Sequence, residues 1–206
     1  MASDTNLLKA TTDKVVLIGD VGVGKTSIFT RFKSNEFDES SKGHNPKEDK
    51  FTKMWKPSGG SEVSITLFDT AGIERHMSTI PPTYFRSAKA VILVYSITDA
   101  ETFDSLSNWI ENAVSAMGVG TGGLVKVLVG NKVDLDSDRQ VDRNRAEEFA
   151  KNVDINSKFV LETSAKTNKG IDDLFNLVAM EIAPSVKQSP KGGAPKTEKS
   201  KCCSQT

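Results

Sequence analysis

Apolar residues along the chain follow two patterns, short continuous runs and longer segments in which they recur every three or four positions. Short runs bounded by polar or glycine-rich residues predict buried strands, and the helical spacing predicts amphipathic helices. The predicted strands are Lys14–Ile18, Phe51–Lys56, Val63–Phe68, Ala90–Tyr95, Val125–Val129 and Phe159–Leu161. Helical patterns run from Lys25 to Lys33, Phe103 to Met117, Ala146 to Val153 and Ile171 to Val178.

The order of these elements predicts the fold class. Strands that alternate with helices imply right-handed crossovers and a mostly parallel sheet, which is an α/β fold. The turn sequence Pro57-Ser58-Gly59-Gly60 separates two strands without a helix and therefore predicts a hairpin. We expect the strand at Phe51–Lys56 to lie antiparallel at one edge of the sheet. The pair Pro81-Pro82 predicts a stiff helix start.

Composition adds limits on size, partners and setting. The 206 residues suffice for one α/β domain with a sizeable core. Lysine plus arginine and aspartate plus glutamate both number 27, so net charge gives no indication of nucleic-acid binding. No apolar N-terminal segment suggests a signal peptide, and both cysteines lie near the C-terminal end, so we expect a cytosolic setting.

A glycine-rich sequence, Gly-Asp-Val-Gly-Val-Gly-Lys-Thr at positions 19–26, follows the first strand and opens the first helix. Gly22 and Gly24 allow main-chain N–H groups to close around phosphate oxygens, at the positive end of the helix dipole. Lys25 can reach the β- and γ-phosphates, and the Thr26 hydroxyl can ligate Mg²⁺. The flanking strand and helix disfavour the alternative of a chance glycine-rich turn. The sequence therefore predicts a site for a nucleoside di- or triphosphate.

Two later segments indicate which base is bound. Asn131-Lys132-Val133-Asp134 follows a strand, at the edge of the sheet where open α/β folds bind ligands. The Asp134 carboxylate can accept hydrogen bonds from N1–H and the exocyclic amine of guanine, a donor pair that adenine lacks. Thr163-Ser164-Ala165-Lys166 follows the last strand and could offer a main-chain N–H to the guanine carbonyl oxygen. Each segment alone could be an ordinary loop, but all three in this order predict a guanine-nucleotide site.

Together these motifs resemble the small Ras-like GTPases, and among them the Rab branch most closely, from about Lys14 to Met180. Phe68-Asp69-Thr70-Ala71-Gly72 matches the family segment whose aspartate reaches Mg²⁺ and whose glycine senses the γ-phosphate. Tyr84-Phe85-Arg86-Ser87-Ala88 resembles a Rab-type segment. The resemblance implies a three-layer small-GTPase domain, with a mostly parallel six-stranded sheet, one antiparallel edge strand and helices on both faces.

The resemblance also implies a set of site residues, with GTP or GDP and Mg²⁺ as the bound groups. Thr26 and Asp69 are the implied metal ligands. Phe37 falls where the family stacks an aromatic ring on guanine, although an isolated phenylalanine is more often a core residue. The implied nucleotide-binding residues are Val21, Gly22, Val23, Gly24, Lys25, Thr26, Ser27, Phe37, Asp69, Gly72, Asn131, Lys132, Asp134, Ser164, Ala165 and Lys166.

The C-terminal segment differs in composition from the rest of the chain. We expect residues 1–183 to form the GTPase domain and residues 184–206, rich in proline, glycine and lysine, to be a flexible tail. Cys202 and Cys203 resemble the double-prenylation terminus of Rab proteins; the alternative is two unmodified exposed thiols. Two lipid chains give stable anchoring. We therefore expect the cytoplasmic face of intracellular membranes, with a cytosolic pool.

Three positions depart from the family pattern, and each bears on hydrolysis. Ile73 stands where the family carries a glutamine that orients the attacking water. His44 falls at the position of the family's switch I threonine, and imidazole is a poor ligand for Mg²⁺. Val21 adds bulk beside the γ-phosphate and is the weakest of the three signals. If the switch I loop shifts, other oxygen ligands are at hand: Ser40, Ser41 and Asn45.

Two functional hypotheses follow. The first is a membrane-attached Rab-like GTPase that hydrolyses GTP slowly and recruits effectors in vesicle traffic. The second is a guanine-nucleotide-binding interaction protein without useful hydrolysis, which Ile73 and His44 favour. No residue is assigned as catalytic; Arg75 and His76 lie close enough to help with charge or water, but such residues more often contact partners. The implied protein partners are effectors, an exchange factor and the machinery that prenylates and extracts the protein.

Overall fold

The computed structural model describes residues 12–38, 48–72, 80–117 and 123–183. Six strands form one sheet, and all six lie where the apolar runs predict them. They are β1 Asp13–Ile18, β2 Lys50–Trp55, β3 Val63–Asp69, β4 Ala88–Ser96, β5 Val125–Asn131 and β6 Val160–Thr163. Their order is β2-β3-β1-β4-β5-β6, with β2 antiparallel to β3 at one edge and the other pairs parallel. The predicted hairpin and edge strand are confirmed.

Six α-helices connect and cover the strands in the described ranges. They are α1 Lys25–Ser34, α2 Pro82–Phe85, α3 Ala100–Asp104, α4 Leu106–Met117, α5 Arg143–Asn152 and α6 Ile171–Ile182. Two 3₁₀ turns, Val133–Asp138 and Ser157–Phe159, precede α5 and β6. Pro82 occupies the first position of α2, as the proline pair predicts. None of these helices is long and apolar enough to cross a membrane.

Both faces of the sheet are covered, which gives the predicted three layers. Because successive strand residues point to opposite faces, Val15 and Leu17 of β1 join one core and Val16 and Ile18 join the other. The first core packs against α1 and α6, and the second packs against α2, α4 and α5. All four of these β1 side chains are fully buried.

The helical spacing from Phe103 to Met117 predicts one helix, but the structure has α3 and α4 with Ser105 between them. The Ser105 hydroxyl donates to the Thr102 carbonyl at 3.1 Å and to the Asp20 carboxylate at 2.5 Å. The main chain at Ser105 keeps helical dihedral angles, and its N–H still bonds the Glu101 carbonyl, so the interruption is local. The Ser105 side chain meanwhile bonds the loop that follows β1.

The sheet order places the candidate site. From β1 the chain passes to β2 and β3 on one side of β1 and later to β4 on the other side, so the connections diverge between β1 and β4. Ligands in open α/β folds bind in the crevice that such a divergence creates at the carboxyl ends of the strands. The loops after β1, β3, β5 and β6 all begin at this edge, because these four strands are parallel.

Candidate nucleotide-binding site

The phosphate loop, residues 19–26, has the backbone conformation that its glycines predict. Gly22 and Gly24 have φ angles of 79° and 99°, a region that side chains other than glycine rarely adopt. A Cβ at Gly24 would lie 2.2 Å from Nδ2 of Asn131, so no larger residue fits there. A Cβ at Gly22 would meet nothing within 4 Å. The loop is therefore closed against the protein at Gly24 and open on the side of Gly22.

Lys25 lies in the phosphate loop with only 3% of the residue exposed. Its Nζ donates to the carbonyl oxygens of Gly19 at 2.9 Å and Asp20 at 2.7 Å. These two bonds fix the position of the Lys25 side chain within the loop. The predicted role of Lys25 toward phosphate is compatible with this geometry.

Asp20 is a site residue that sequence reasoning missed. Its carboxylate accepts hydrogen bonds from the Ser105 hydroxyl at 2.5 Å and from Nε1 of Trp109 at 2.7 Å. The phosphate loop is thereby attached to the start of α4, while the Asp20 main chain holds Lys25. The position of Trp109 between Leu106 and Ala113 in the helical pattern was the available signal, but it indicated only a buried face.

Thr26 and Asp69, the predicted metal ligands, lie side by side. The Thr26 hydroxyl donates to Oδ2 of Asp69 at 2.7 Å, and Oδ1 of Asp69 accepts from the Ala71 N–H at 3.0 Å. Asp69 ends β3 and is buried, with 1% of the residue exposed. A hydroxyl and a carboxylate are hard oxygen donors of the kind that Mg²⁺ prefers, so the two residues fit this cation.

The Asn131 side chain connects three segments of the site. It is buried at the end of β5, and its Nδ2 donates to the Val23 carbonyl of the phosphate loop at 2.9 Å. Its Oδ1 accepts from the Thr163 hydroxyl at 3.1 Å and from the Ala165 N–H at 3.2 Å. One amide therefore fixes the separation between the phosphate loop and the loop that follows β6.

The predicted guanine residues meet at the same edge. Asp134 is exposed, and its Oδ1 accepts from the Ser164 hydroxyl at 2.5 Å. The Ser164 hydroxyl in turn accepts from the Thr167 N–H at 3.0 Å. Lys132, with a φ angle of 73°, begins the 3₁₀ turn that carries Asp134. The bond from Ser164 thus holds the exposed Asp134 carboxylate beside the loop that follows β6.

An ion pair joins the 3₁₀ turn that carries Asp134 to strand β6, which leads into the loop that carries Ser164. Nη1 of Arg139, just after the 3₁₀ turn, donates to Oε1 of Glu162 in β6 at 2.7 Å, and Nε donates to Oδ1 of Asp136 at 2.7 Å. These hydrogen bonds, led by the one to Glu162, raise the pKa of Arg139 above its ordinary value. Neither Arg139 nor Glu162 was singled out from the sequence.

Some of the remaining predicted residues lie in the part of the chain that the structure describes, and the others lie outside it. Val21, within the phosphate loop, is 44% exposed. The side chain of Val23 is fully buried in the core, so only its main chain can face a nucleotide. Phe37 is partly buried against the core. Ser27 lies in the first turn of α1, directly after Thr26. Gly72 lies three positions after Asp69 and has a φ angle of 91°. The predictions that fall outside the described residues concern Ser40, Ser41, His44, Asn45, Ile73, Arg75, His76, Cys202 and Cys203.

Comparison with known proteins agrees with this geometry. A sequence profile of the Ras family matches residues 14–184. The Ras-related protein RabC of Dictyostelium discoideum is 35% identical over 176 residues, which cover 85% of this chain and 86% of the relative. The Ras-related protein Rab-18-B of Danio rerio is 37% identical, with 87% and 82% covered, and Rab-8A of Bos taurus is 34% identical, with 88% and 84% covered. The chain therefore belongs to the Ras family, as a Rab-like small GTPase.

Proposed function

We propose that this protein is a membrane-attached switch that binds GDP or GTP with Mg²⁺, selects guanine through Asp134 and hydrolyses GTP slowly. The observation that carries the proposal is the position of the buried Asn131 amide. It bonds both the Val23 carbonyl and the Ala165 N–H, so it sets the distance between the phosphate loop and the loop after β6. A nucleoside diphosphate has its phosphates at one end and its base at the other, and we assign the phosphate loop to the first and the loop after β6 to the second.

At the phosphate end, the proposed contacts are main-chain N–H groups, the helix dipole of α1 and the Lys25 ammonium. The open side of the loop at Gly22 supports this assignment, because a phosphate needs a path to the main chain. Gly72, after Asp69, is assigned to sensing the γ-phosphate. The phosphate-end residues are Val21, Gly22, Val23, Gly24, Lys25, Thr26, Ser27, Asp69 and Gly72.

Thr26 and Asp69 are the residues that would hold Mg²⁺. The Thr26 Oγ1–Asp69 Oδ2 distance of 2.7 Å supports this pair. Mg²⁺ usually takes one or two protein carboxylates and completes its coordination with phosphate oxygens and water. When bound, the ion neutralises charge that develops on the phosphate oxygens.

At the base end, the Asp134 carboxylate is assigned to the N1–H and exocyclic amine of guanine. Its hydrogen bond from Ser164 supports this role, because it keeps the carboxylate beside the loop after β6. Main-chain N–H groups of that loop are assigned to the guanine carbonyl oxygen, and the Phe37 ring to one face of the base. The base-end residues are Phe37, Asn131, Lys132, Asp134, Ser164, Ala165 and Lys166.

Slow hydrolysis is proposed because Ile73 has no donor or acceptor to hold the attacking water. The exposed Val21 side chain adds bulk near the phosphate end. The second candidate, a nucleotide-binding protein without useful hydrolysis, is favoured by the same Ile73 together with His44. Single-turnover hydrolysis of bound GTP, with and without cell extract as a source of activating protein, distinguishes the two candidates.

Membrane attachment and a role in vesicle traffic are proposed from the tail and the family. Cys202 and Cys203 are the proposed lipid sites, and the lysines of residues 184–206 would add attraction to anionic lipid. Effectors, an exchange factor and prenyl-transfer and extraction proteins are the proposed partners.

The substitution Asp134→Asn tests the base assignment. The asparagine NH₂ donates where the carboxylate accepted from the exocyclic amine, so GDP affinity should fall by at least tenfold and xanthosine diphosphate, which carries a carbonyl in place of that amine, should be favoured. Competition of GDP, xanthosine diphosphate and ADP for the full chain measures this change. Asp138→Asn, an exposed carboxylate of the same 3₁₀ turn, is the matched control and should leave the preference for guanine intact. Equal affinity of the parent for GDP and ADP would contradict the proposal.

A further inference from the structure

Arg31, in the last turn of α1, bonds three main-chain carbonyl groups at once. Its Nε donates to the Ala165 carbonyl at 2.6 Å and its Nη2 to the Lys166 carbonyl at 2.7 Å. Its Nη1 donates to the Asn35 carbonyl at 2.7 Å. The guanidinium therefore joins the loop after β6 to the C-terminal end of α1, two segments more than a hundred positions apart along the chain.

The contact with the loop after β6 fixes the direction of two peptide groups. The peptide between Ala165 and Lys166 is trans, and the carbonyl and N–H of a trans peptide point in opposite directions. Because Arg31 holds the Ala165 carbonyl, the N–H of Lys166 is directed away from α1. The next N–H, that of Thr167, donates to the Ser164 hydroxyl, which itself bonds Asp134.

The contact with α1 fixes the second segment. Asn35 ends the helix in the left-handed conformation, with a φ angle of 59° and its N–H bonded to the Arg31 carbonyl. Phe37 follows two residues later, and its ring centroid lies 5.9 Å from Cζ of Arg31. The same guanidinium thus contacts the residue proposed to stack on the base and holds the loop proposed to bind the edge of that base.

We propose that Arg31 is a positioning residue that orients the loop after β6 and the segment around Phe37 for guanine. This inference rests on the proposed function, because it assumes that guanine binds between these segments. Arginine suits the role because its planar fork donates in several directions at once, whereas lysine presents a single ammonium. Charge-assisted hydrogen bonds to carbonyls are also stronger than neutral ones.

The test compares GDP release from the full chain, with Arg31→Ala and Arg31→Lys as variants. Radiolabelled GDP retained on filters after addition of excess unlabelled GDP gives the dissociation rate. Arg31→Ala should release GDP about tenfold faster, equivalent to about 1.4 kcal/mol, and Arg31→Lys should lie between Arg31→Ala and the parent. Arg143→Ala removes an exposed arginine that pairs with Glu147 on α5 and should release GDP at the parent rate.

Two further measurements distinguish positioning of the base from a general structural role. Chelation of Mg²⁺ weakens the phosphate end, so the relative acceleration by Arg31→Ala should persist in excess chelator. ADP lacks the guanine contacts, so the ratio of GDP to ADP affinity should fall about tenfold. A loss of both affinities in equal proportion overturns the proposal, as does an acceleration that disappears with chelator.

The outcomes also separate this proposal from the proposed function. Parent-like release by both variants overturns the role of Arg31 and leaves GDP binding established. A parent that does not bind GDP overturns both. If Arg31→Ala does not fold, Arg31→Lys decides, since a parent-like rate and a parent-like GDP to ADP ratio in that variant contradict the proposal.

Discussion

Individual side chains at the nucleotide site are held by partners from distant parts of the chain. The Thr26–Asp69 bond spans 43 positions, and the bond from Trp109 to Asp20 spans 89. The conformational entropy of ordering these side chains is lost on folding and not on binding. A site ordered in this way favours tight binding, because less freedom remains to be lost when the ligand arrives.

Thr26→Asn should weaken Mg²⁺-dependent GTP binding by about tenfold or more, because the bulkier amide does not replace the hydroxyl beside Asp69. Calorimetric titration of GTP with and without Mg²⁺ measures the effect. Thr30→Asn is the control, since Thr30 lies one turn further along α1 and its hydroxyl donates to the Thr26 carbonyl. Equal loss in both variants would indicate damage to the helix and not to the metal site.

Ile73→Gln should raise intrinsic GTP hydrolysis, on the order of tenfold, because it restores a group that can orient the attacking water. Single-turnover hydrolysis of preloaded GTP measures the rate. Met77→Gln places the same side chain nearby in the sequence and should give no gain. A parent that hydrolyses GTP at an ordinary Rab rate, with no gain from Ile73→Gln, would contradict the prediction and make Arg75 and His76 the next residues to replace.

The parts of the site that could be predicted are those whose residues lie close together in the sequence and whose residue types indicate the chemistry. Gly24, Lys25 and Thr26 lie within three positions, and their residue types alone indicate phosphate and metal binding. The roles of Arg31 and Asp20 could not be predicted. Arg31 bonds main-chain carbonyls, which every residue type offers, and the partners of Asp20 come close only after α4 has packed.

At the scale of elements, the 3₁₀ turn at 133–138 and strand β6 are tied together by Arg139 and Glu162. The side chains of both residues are 22% exposed, so their ion pair is shielded more than a surface pair. Arg139 also donates to the Val141 carbonyl at 3.0 Å. The pair thereby supports both loops that carry the proposed guanine contacts.

Arg139→Ala should lower the free energy of unfolding by about 1–2 kcal/mol, because it leaves a partly buried carboxylate and a carbonyl without their donor. Urea denaturation in saturating GDP measures the loss. Arg143→Ala should cost less than about 0.5 kcal/mol, since its i,i+4 pair with Glu147 is exposed. Comparable losses in the two variants would show that the link between the turn and β6 adds no more stability than an exposed ion pair.

The strands and long helices could be predicted because burial imposes a regular apolar period on them. The 3₁₀ turn at 133–138 could not, since its sequence is mostly polar and its shape depends on Lys132 and Arg139. The break between α3 and α4 was also missed, because Ser105 leaves the helical spacing intact while its side chain bonds Asp20. Tertiary contacts decide such details.

At the scale of the whole molecule, the charge is divided between the domain and the tail. Residues 184–206 carry a net charge of +4, so the remainder carries an equal negative charge. A basic, doubly lipidated tail would hold the domain near an anionic membrane while leaving the nucleotide edge of the sheet free of lipid attachment.

Replacement of Cys202 and Cys203 with serine should move the protein from the membrane fraction to the soluble fraction of a cell lysate. GDP affinity should stay within about twofold of the parent, because none of the proposed nucleotide contacts comes from residues 184–206. Ser204→Ala in the same tail is the control and should leave fractionation unchanged. Membrane association that survives loss of both cysteines would show that another feature holds the protein there.

The bond between Trp109 and Asp20 places a fluorescent side chain in direct contact with the phosphate loop. The chain has two tryptophans, and Trp55 lies away from the phosphate loop, with its Nε1 donating to Asn176 of α6. Trp55→Phe therefore leaves one indole, whose N–H bonds the phosphate loop directly. Because indole emission responds to the polarity and charge around the ring, nucleotide exchange in that variant can be followed by intrinsic fluorescence without any label.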